Sequence, residues 1–343
     1  MGSMITGSTA GRAKRKPRVT ENPAPRKKRG AARLSSRHLL GLQGMPREDI
    51  QLILQTAVSF KEIIGRPIKK VPPLRGMTVV NLFYEPSTRT RISFELAEKR
   101  LSADVVNFTA STSSVQKGET LKDTIKNIEA MKTDVVVIRH PSPGAAHYLV
   151  SCCSSIVINA GDGAHEHPTQ GLLDIFTLWE KFGSFKERTV LIVGDISHSR
   201  VARSNIFGLI TLGANVRVCG PPTLIPVGIE ELGVKVFYNL NEAIIGVDAI
   251  NVLRIQRERQ TGALLPSLRE YTHLFGLTGE RLKLAGPDVV VMHPGPMNRG
   301  VEITPGVADG PQSVILSQVT NGLAVRMAIF YLLCGAGKEV AVR

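Results

Sequence analysis

The run Phe83-Tyr84-Glu85-Pro86-Ser87-Thr88-Arg89-Thr90-Arg91 gathers the three aliphatic hydroxyls of Ser87, Thr88 and Thr90 and two guanidiniums within nine residues. Those groups suit an anion with several oxygens, because guanidiniums bind phosphate bidentately and hydroxyls donate to what remains. Met77 to Phe83, just before it, reads as a buried strand. Ile92, Phe94, Leu96 and Leu101 recur as on one face of a helix. Ser87 to Thr90 therefore fall at a helix N-terminus, where unpaired N–H groups and the helix dipole attract negative charge. An ordinary Ser N-cap ahead of a basic helix would carry the same letters.

Other clusters lie where open α/β sheets hold ligands, at the ends of strands. His165-Glu166-His167-Pro168-Thr169-Gln170 follows a Gly-rich turn, Gly161-Asp162-Gly163. Its histidines invite a metal reading, but a catalytic zinc needs a third ligand and no partner motif supplies one, so no metal is expected. His167 reads better as a neutral hydrogen-bond donor to a carbonyl, with Gln170 one turn later; the plainer alternative is a histidine that bonds only backbone. Arg139 ends a strand and is expected to point into a crevice. Ser113 and Lys117 lie on a polar loop able to close over a site or reach a neighbouring subunit. Gly194-Asp195-Ile196-Ser197-His198-Ser199-Arg200 sits like a dinucleotide turn without the G-x-G-x-x-G spacing, so no nicotinamide cofactor is expected. Arg200, Arg254 and Gln256 supply two cations and an amide suited to a dicarboxylate.

Positioning these groups needs an alternating α/β chain. Strands are expected at Met77–Phe83, Val105–Phe108, Val135–Ile138 and Ile156–Asn159, with helices near 90–101, 119–131 and 144–153. The pattern restarts with Thr189–Val193, Val216–Cys219, Lys235–Tyr238 and Ala249–Leu253, with helices near 200–212 and 241–246. The fold class is thus α/β, two consecutive three-layer domains with mainly parallel sheets. A helix from Pro168 to about Phe182 spans the break, near Gly183-Ser184. An early helix, Arg47 to about Ile64, should lie beside a final one, Val314 to Cys334, that crosses back to the first domain. The expected domains are 34–183, completed by residues 315–343, and 184–314.

The net charge of +14 would suggest a nucleic-acid partner if it were spread over the fold. Ten of the Lys and Arg residues instead lie within residues 1–33 against Glu21 alone, so this stretch is expected to be a disordered basic tail and nucleic acid is not the expected partner. Uninterrupted apolar runs such as Val135–Ile138 are too short to cross a bilayer, so no membrane segment is expected. The four cysteines, Cys152, Cys153, Cys219 and Cys334, lack metal or framework spacing, which suits a reducing, cytoplasmic setting.

From about Leu34 to Cys334 the chain resembles the aspartate carbamoyltransferases. The Ser-Thr-Arg-Thr-Arg element and His167-Pro168-x-Gln170 are shared by all carbamoyltransferases. Glu85-Pro86, Arg254-Ile255-Gln256 and His293-Pro294-Gly295-Pro296-Met297-Asn298-Arg299-Gly300 point to aspartate as acceptor. The resemblance implies that Ser87, Thr88, Arg89, Thr90 and Arg139 hold the phosphate of carbamoyl phosphate. It also implies that His167, Arg139 and Thr90 surround the carbonyl oxygen and that Gln170 meets the carbamoyl amine. Ser113 and Lys117 would enter from the adjacent subunit of a homotrimer with shared sites, with His167, Arg139, Thr90 and Lys117 as the catalytic set. Arg200, Arg254 and Gln256 would take the aspartate carboxylates, with Gly295-Pro296, expected as a cis peptide, closing the site. No cofactor is implied. The family includes larger assemblies with regulatory chains or a dihydroorotase; Ser197-His198-Ser199, where chains paired with regulatory subunits tend to have Lys-Tyr, weakens the regulatory case.

Overall fold

Val79, Val80, Leu82 and Phe83 are all buried, as in a parallel strand covered on both faces by helices. In the computed structural model, which describes residues 1–2, 33–109, 118–256 and 264–335, this strand is β1 (Thr78–Phe83). Nearly all of the basic tail, both loop residues Ser113 and Lys117, and the last eight residues lie outside the described residues.

With β1 pair β2 (Asp104–Thr109), β3 (Val135–His140) and β4 (Ile156–Asp162) in one parallel sheet of order β2-β1-β3-β4. The connections are α2 (Thr88–Arg100), α3 (Leu121–Ala130) and α4 (Ala145–Cys152). A second parallel sheet has the order β7-β6-β5-β8-β9, from β5 (Thr189–Val193), β6 (Asn215–Cys219), β7 (Lys235–Phe237), β8 (Ala249–Val252) and β9 (Val290–Met292). Between the sheets runs α5 (Pro168–Phe182), begun by Pro168 at its first position and ended by Gly183 at φ 69°. It packs on α6 (Arg200–Leu212).

The elements found beyond the expected ones are short: β9, α8 (Leu268–Phe275), α9 (Gly279–Ala285) and α10 (Pro305–Ala308), while the helix expected near 241–246 is the four-residue α7 (Leu240–Ala243). Three or four residues carry too little periodicity to separate strand from loop. The final helix α11 (Ile315–Phe330) packs against α2, α5 and the early helix α1 (Arg47–Gly65). It ends in a π-helical turn, Tyr331–Gly335, rather than continuing as α-helix. Phe330 meets Phe94 edge-on at 6.0 Å, and Tyr331 meets Phe60 at 5.7 Å. Ile315–Gly335 has the length and mean hydropathy of a membrane span, a feature that a search for uninterrupted apolar runs overlooks. Of that stretch 67% is buried, against α1, α2 and α5, while Leu316 and Val319 are exposed.

Glu98 of α2 is wholly buried against β1, and Asn81 Nδ2 donates to its Oε2 at 2.8 Å. Burial pushes the carboxyl from 4.5 up to about 8. The folded protein then keeps a proton at neutral pH that the unfolded chain has released, so stability falls as pH rises from about 4.5 through about 8. Glu98→Gln removes this titration. The melting temperature of the variant should gain on wild type steadily between pH 5 and pH 9, and a difference constant over that range would contradict the assignment.

Candidate active site

Both sheets present their switch points to one cleft. In the first, β1 is flanked by β2 and β3, so the segments leaving β1 and β3 diverge, and the register sets Phe83 beside Arg139 at that opening. In the second, β5 and β8 play the same part, with Val193 beside Val252. A cleft of about 1070 Å³ is lined by residues from both openings.

Ser87 occupies the N-cap position of α2, yet its side chain makes no capping hydrogen bond. Thr120, Ser199, Ser267 and Thr278, at the starts of α3, α6, α8 and α9, all cap their helices. The ordinary-cap alternative therefore fails for Ser87, whose hydroxyl lines the cleft with Thr88, Arg89 and Thr90. Five arginines line the cleft among the described residues, Arg89, Arg139, Arg200, Arg254 and Arg326, against one carboxylate, Glu85. Burial and then the neighbouring Arg254 charge hold Arg89 below the usual guanidinium range, the mark of cations crowded together. Glu85 Oε2 receives Arg200 Nη2 at 2.6 Å and Arg139 Nε at 3.2 Å, which ties the turn after β1 to the start of α6.

His167 is the N-cap residue of α5, buried, with its backbone N–H donating to Ser204 Oγ at 2.9 Å. Ser204 Oγ donates in turn to Glu166 Oε2, which also accepts from Leu42 N, while Gln43 N donates to Glu166 Oε1. The acid between the two histidines is thus spent on fixing the turn that sets His167 at the cleft wall. Gln170 lines the same wall and donates from Nε2 to Asp174 Oδ1 at 2.9 Å. On the opposite side, buried Asp195 accepts from His198 Nδ1 at 2.7 Å and from Gln256 N at 3.3 Å, joining the turn after β5 to the segment after β8.

The Gly295–Pro296 peptide is cis, as expected, and Gly295 has φ 65°. A side chain there would run into the Arg89 guanidinium, so the loop lies directly against the start of α2. Gly295 N donates to His293 Nδ1 at 2.8 Å, leaving Nε2 to carry the proton toward Glu302 Oε1 at 3.2 Å. Burial lowers the His293 pKa and outweighs the opposing hydrogen bond and charge of Glu302, with small help from Arg89 and Arg254, which favours the neutral ring.

Residues 37–180 match the carbamoyl-phosphate-binding domain of the aspartate/ornithine carbamoyltransferases, and residues 186–333 match their Asp/Orn-binding domain. Over 302 residues the chain is 62% identical to the aspartate carbamoyltransferase catalytic subunit of Syntrophotalea carbinolica, spanning 88% of this chain and 96% of that one. The chain belongs to the aspartate/ornithine carbamoyltransferase family. It is likewise 62% identical over 298 residues to the aspartate carbamoyltransferase catalytic subunit of Geobacter sulfurreducens, covering 87% and 96% of the two chains. Among solved structures, aspartate transcarbamoylase from Trypanosoma cruzi in complex with N-(phosphonacetyl)-L-aspartic acid is 31% identical with a TM-score of 0.78, over 86% of this chain and 95% of that chain. Ornithine carbamoyltransferase from Pyrococcus furiosus is 30% identical with the same TM-score, over 88% and 98%.

In this carbamoyltransferase the expected residues Ser87, Thr88, Arg89, Thr90, Arg139, His167, Gln170, Arg200, Arg254, Gln256, Gly295 and Pro296 all line the one cleft. Ser113 and Lys117 fall outside the described residues. Sequence reasoning passed over Asp174, Gln318 and Arg326, and took His293 only as part of a motif. An acid inside the apolar run of α5, four residues after Gln170, was the available sign for Asp174, since buried carboxylates persist only where they are hydrogen-bonded.

Proposed function

We propose that this cleft transfers the carbamoyl group of carbamoyl phosphate to the amine of L-aspartate, giving N-carbamoyl-L-aspartate and phosphate, an early step of de novo pyrimidine biosynthesis. The carrying observation is the charge of the acceptor side. Arg254 and Gln256 face the cleft there with Arg200, whose Nη2 is paired with Glu85 from the first half, and no acid stands among the described lining residues of the second half. Two carboxylates fit such a surface, whereas the cationic side chain of ornithine would be repelled by it. Purified protein with carbamoyl phosphate should carbamoylate L-aspartate and leave L-ornithine essentially unreacted; product from ornithine at a comparable rate would overturn the choice of acceptor.

In this reading the half around the first sheet, residues 34–183 with the returning C-terminal segment 315–343, holds carbamoyl phosphate, and residues 184–314 hold aspartate. Free N–H groups at the start of α2, the hydroxyls of Ser87, Thr88 and Thr90, and the guanidiniums of Arg89 and Arg139 bind the phosphate. The aspartate nitrogen attacks the carbamoyl carbon, and negative charge grows on the carbonyl oxygen. His167, Arg139 and Thr90 donate to that oxygen, each such donor being worth roughly 3–4 kcal/mol in the transition state. The bond from carbon to the phosphate oxygen then breaks, and the departing phosphate takes the amine proton. Phosphate is a good enough leaving group that no enzyme nucleophile is required. Arg200, Arg254 and Gln256 hold the two carboxylates, and the Gly295–Pro296 backbone closes over the acceptor. The four free cysteines accord with a cytoplasmic enzyme.

The working unit in this reading is a homotrimer in which Ser113 and Lys117 complete a neighbour's site. The described lining includes arginines but no lysine, so a charge from Lys117 would be an addition to it. A Lys117→Ala chain mixed with an Arg89→Ala chain should regain activity, because some sites then contain both wild-type residues. Mixed trimers that form without recovering activity, or a monomer active at the full rate, would rule out shared sites.

A further inference from the structure

Asp174 is fully buried in the middle of α5, and four side-chain amides from four different elements converge on it. Its Oδ1 accepts from Gln170 Nε2 at 2.9 Å and Gln318 Nε2 at 2.7 Å. Its Oδ2 accepts from Asn205 Nδ2 at 2.8 Å and, more weakly, from Asn251 Nδ2 at 3.4 Å. An ionised carboxylate has about four lone-pair sites and no donor, so this one is filled. A glutamine amide is chemically two-sided, and a carboxylate neighbour admits only one side. Turning Gln170 over would set its carbonyl oxygen against carboxylate oxygen in a dry interior, where such repulsion is least screened.

We infer that Asp174 is a positioning residue that holds the Gln170 amide in one sense, carbonyl toward the donor group, and so makes the cleft select a carbamoyl over an acetyl group. The inference rests on the reading of the cleft as the carbamoyl phosphate site. With Nε2 held by Asp174, Gln170 offers Oε1 to the cleft, an acceptor that a carbamoyl NH2 satisfies and an acetyl methyl leaves unpaired. The same carboxylate orients Gln318, whose Oε1 accepts from His293 N at 3.0 Å and so steadies the start of the Gly295–Pro296 loop. Chemical sense, rather than shape, separates the two groups, because NH2 and CH3 are nearly equal in size.

The test uses two stable phosphonates that differ only at this point, phosphonoacetamide and acetonylphosphonate, as inhibitors competitive with carbamoyl phosphate. Wild type should favour the amide by roughly tenfold, the scale of one hydrogen bond. Asp174→Leu, which offers no acceptor, should bring the two inhibition constants to within about threefold, and Gln170→Leu should do the same, with the double variant no worse than either. Asp174→Asn should keep most of the preference, since its carbonyl can still accept from the two glutamines. An undiminished preference in Asp174→Leu, or equal weakening of both inhibitors with their ratio intact, would overturn the assignment and leave the function standing. Failure of both phosphonates to inhibit wild type would instead overturn the functional reading on which it rests. Should Asp174→Leu not fold, hydrogen exchange of the Gln170 side-chain amide in wild type, identified by its loss in Gln170→Leu, decides the matter: one protected Nε2 proton supports the assignment, and two freely exchanging protons refute it.

Discussion

Arg89→Ala is expected to lower kcat/KM for carbamoyl phosphate by roughly a thousandfold. Two charge-assisted hydrogen bonds from one guanidinium contribute about 1.5–3 kcal/mol each, and each 1.4 kcal/mol is a factor of ten, so the loss lies between about a hundredfold and ten-thousandfold. Arg89 is exposed at the mouth of the open cleft, and the Gly295 backbone approaches its guanidinium from the facing wall. The fold should not suffer, since Arg89 is exposed, and both partial desolvation and then the Arg254 charge already disfavour its cation there. Steady-state kinetics should therefore show the loss while the melting temperature stays level or rises. Saturation by carbamoyl phosphate at wild-type concentrations in this variant would remove Arg89 from the phosphate site.

His167→Ala should behave differently, reducing kcat by about a hundredfold with little change in KM. Its hydrogen bond grows in strength as the carbonyl oxygen gains charge, so it is realised mainly in the transition state. Part of the structural role of residue 167 is carried by its backbone N–H, which donates to Ser204 Oγ and survives in alanine, beside a ring Nδ1 that lies 3.5 Å from Thr169 Oγ1. A folded variant with reduced kcat thus isolates the ring from the turn that bears it. An unchanged kcat would reduce His167 to that backbone role.

Much of the active site was legible because its parts are local. The hydroxyl and guanidinium cluster at the start of α2 is one contiguous run, for a strand end, a helix start and their side chains need only a few consecutive residues. Pro168 and Gly183 bounded α5 for the same reason: first-turn and C-terminal preferences are set by backbone geometry within one turn. What alternation could not show were elements too short for a period, such as β9, and side chains whose meaning depends on a distant partner. Ser87 is the instructive case, because its letter suggests a cap and only the tertiary structure shows that it makes no capping bond and lines the cleft instead.

The amino-acid sequence alone determined the parallel α/β pattern, the hydroxyl and guanidinium chemistry at the start of α2, and the resemblance that names a donor and an acceptor. The tertiary structure decided which groups act together. Glu85 meets Arg200 across 115 positions of chain, and Asp174 meets Gln318 across 144. Such pairs leave no periodic or nearest-neighbour trace, because burial and charge select them only once the chain has brought their elements into contact. The sense in which Gln170 presents its amide belongs to this second class, since either face is written with the same residue and a buried carboxylate chooses between them.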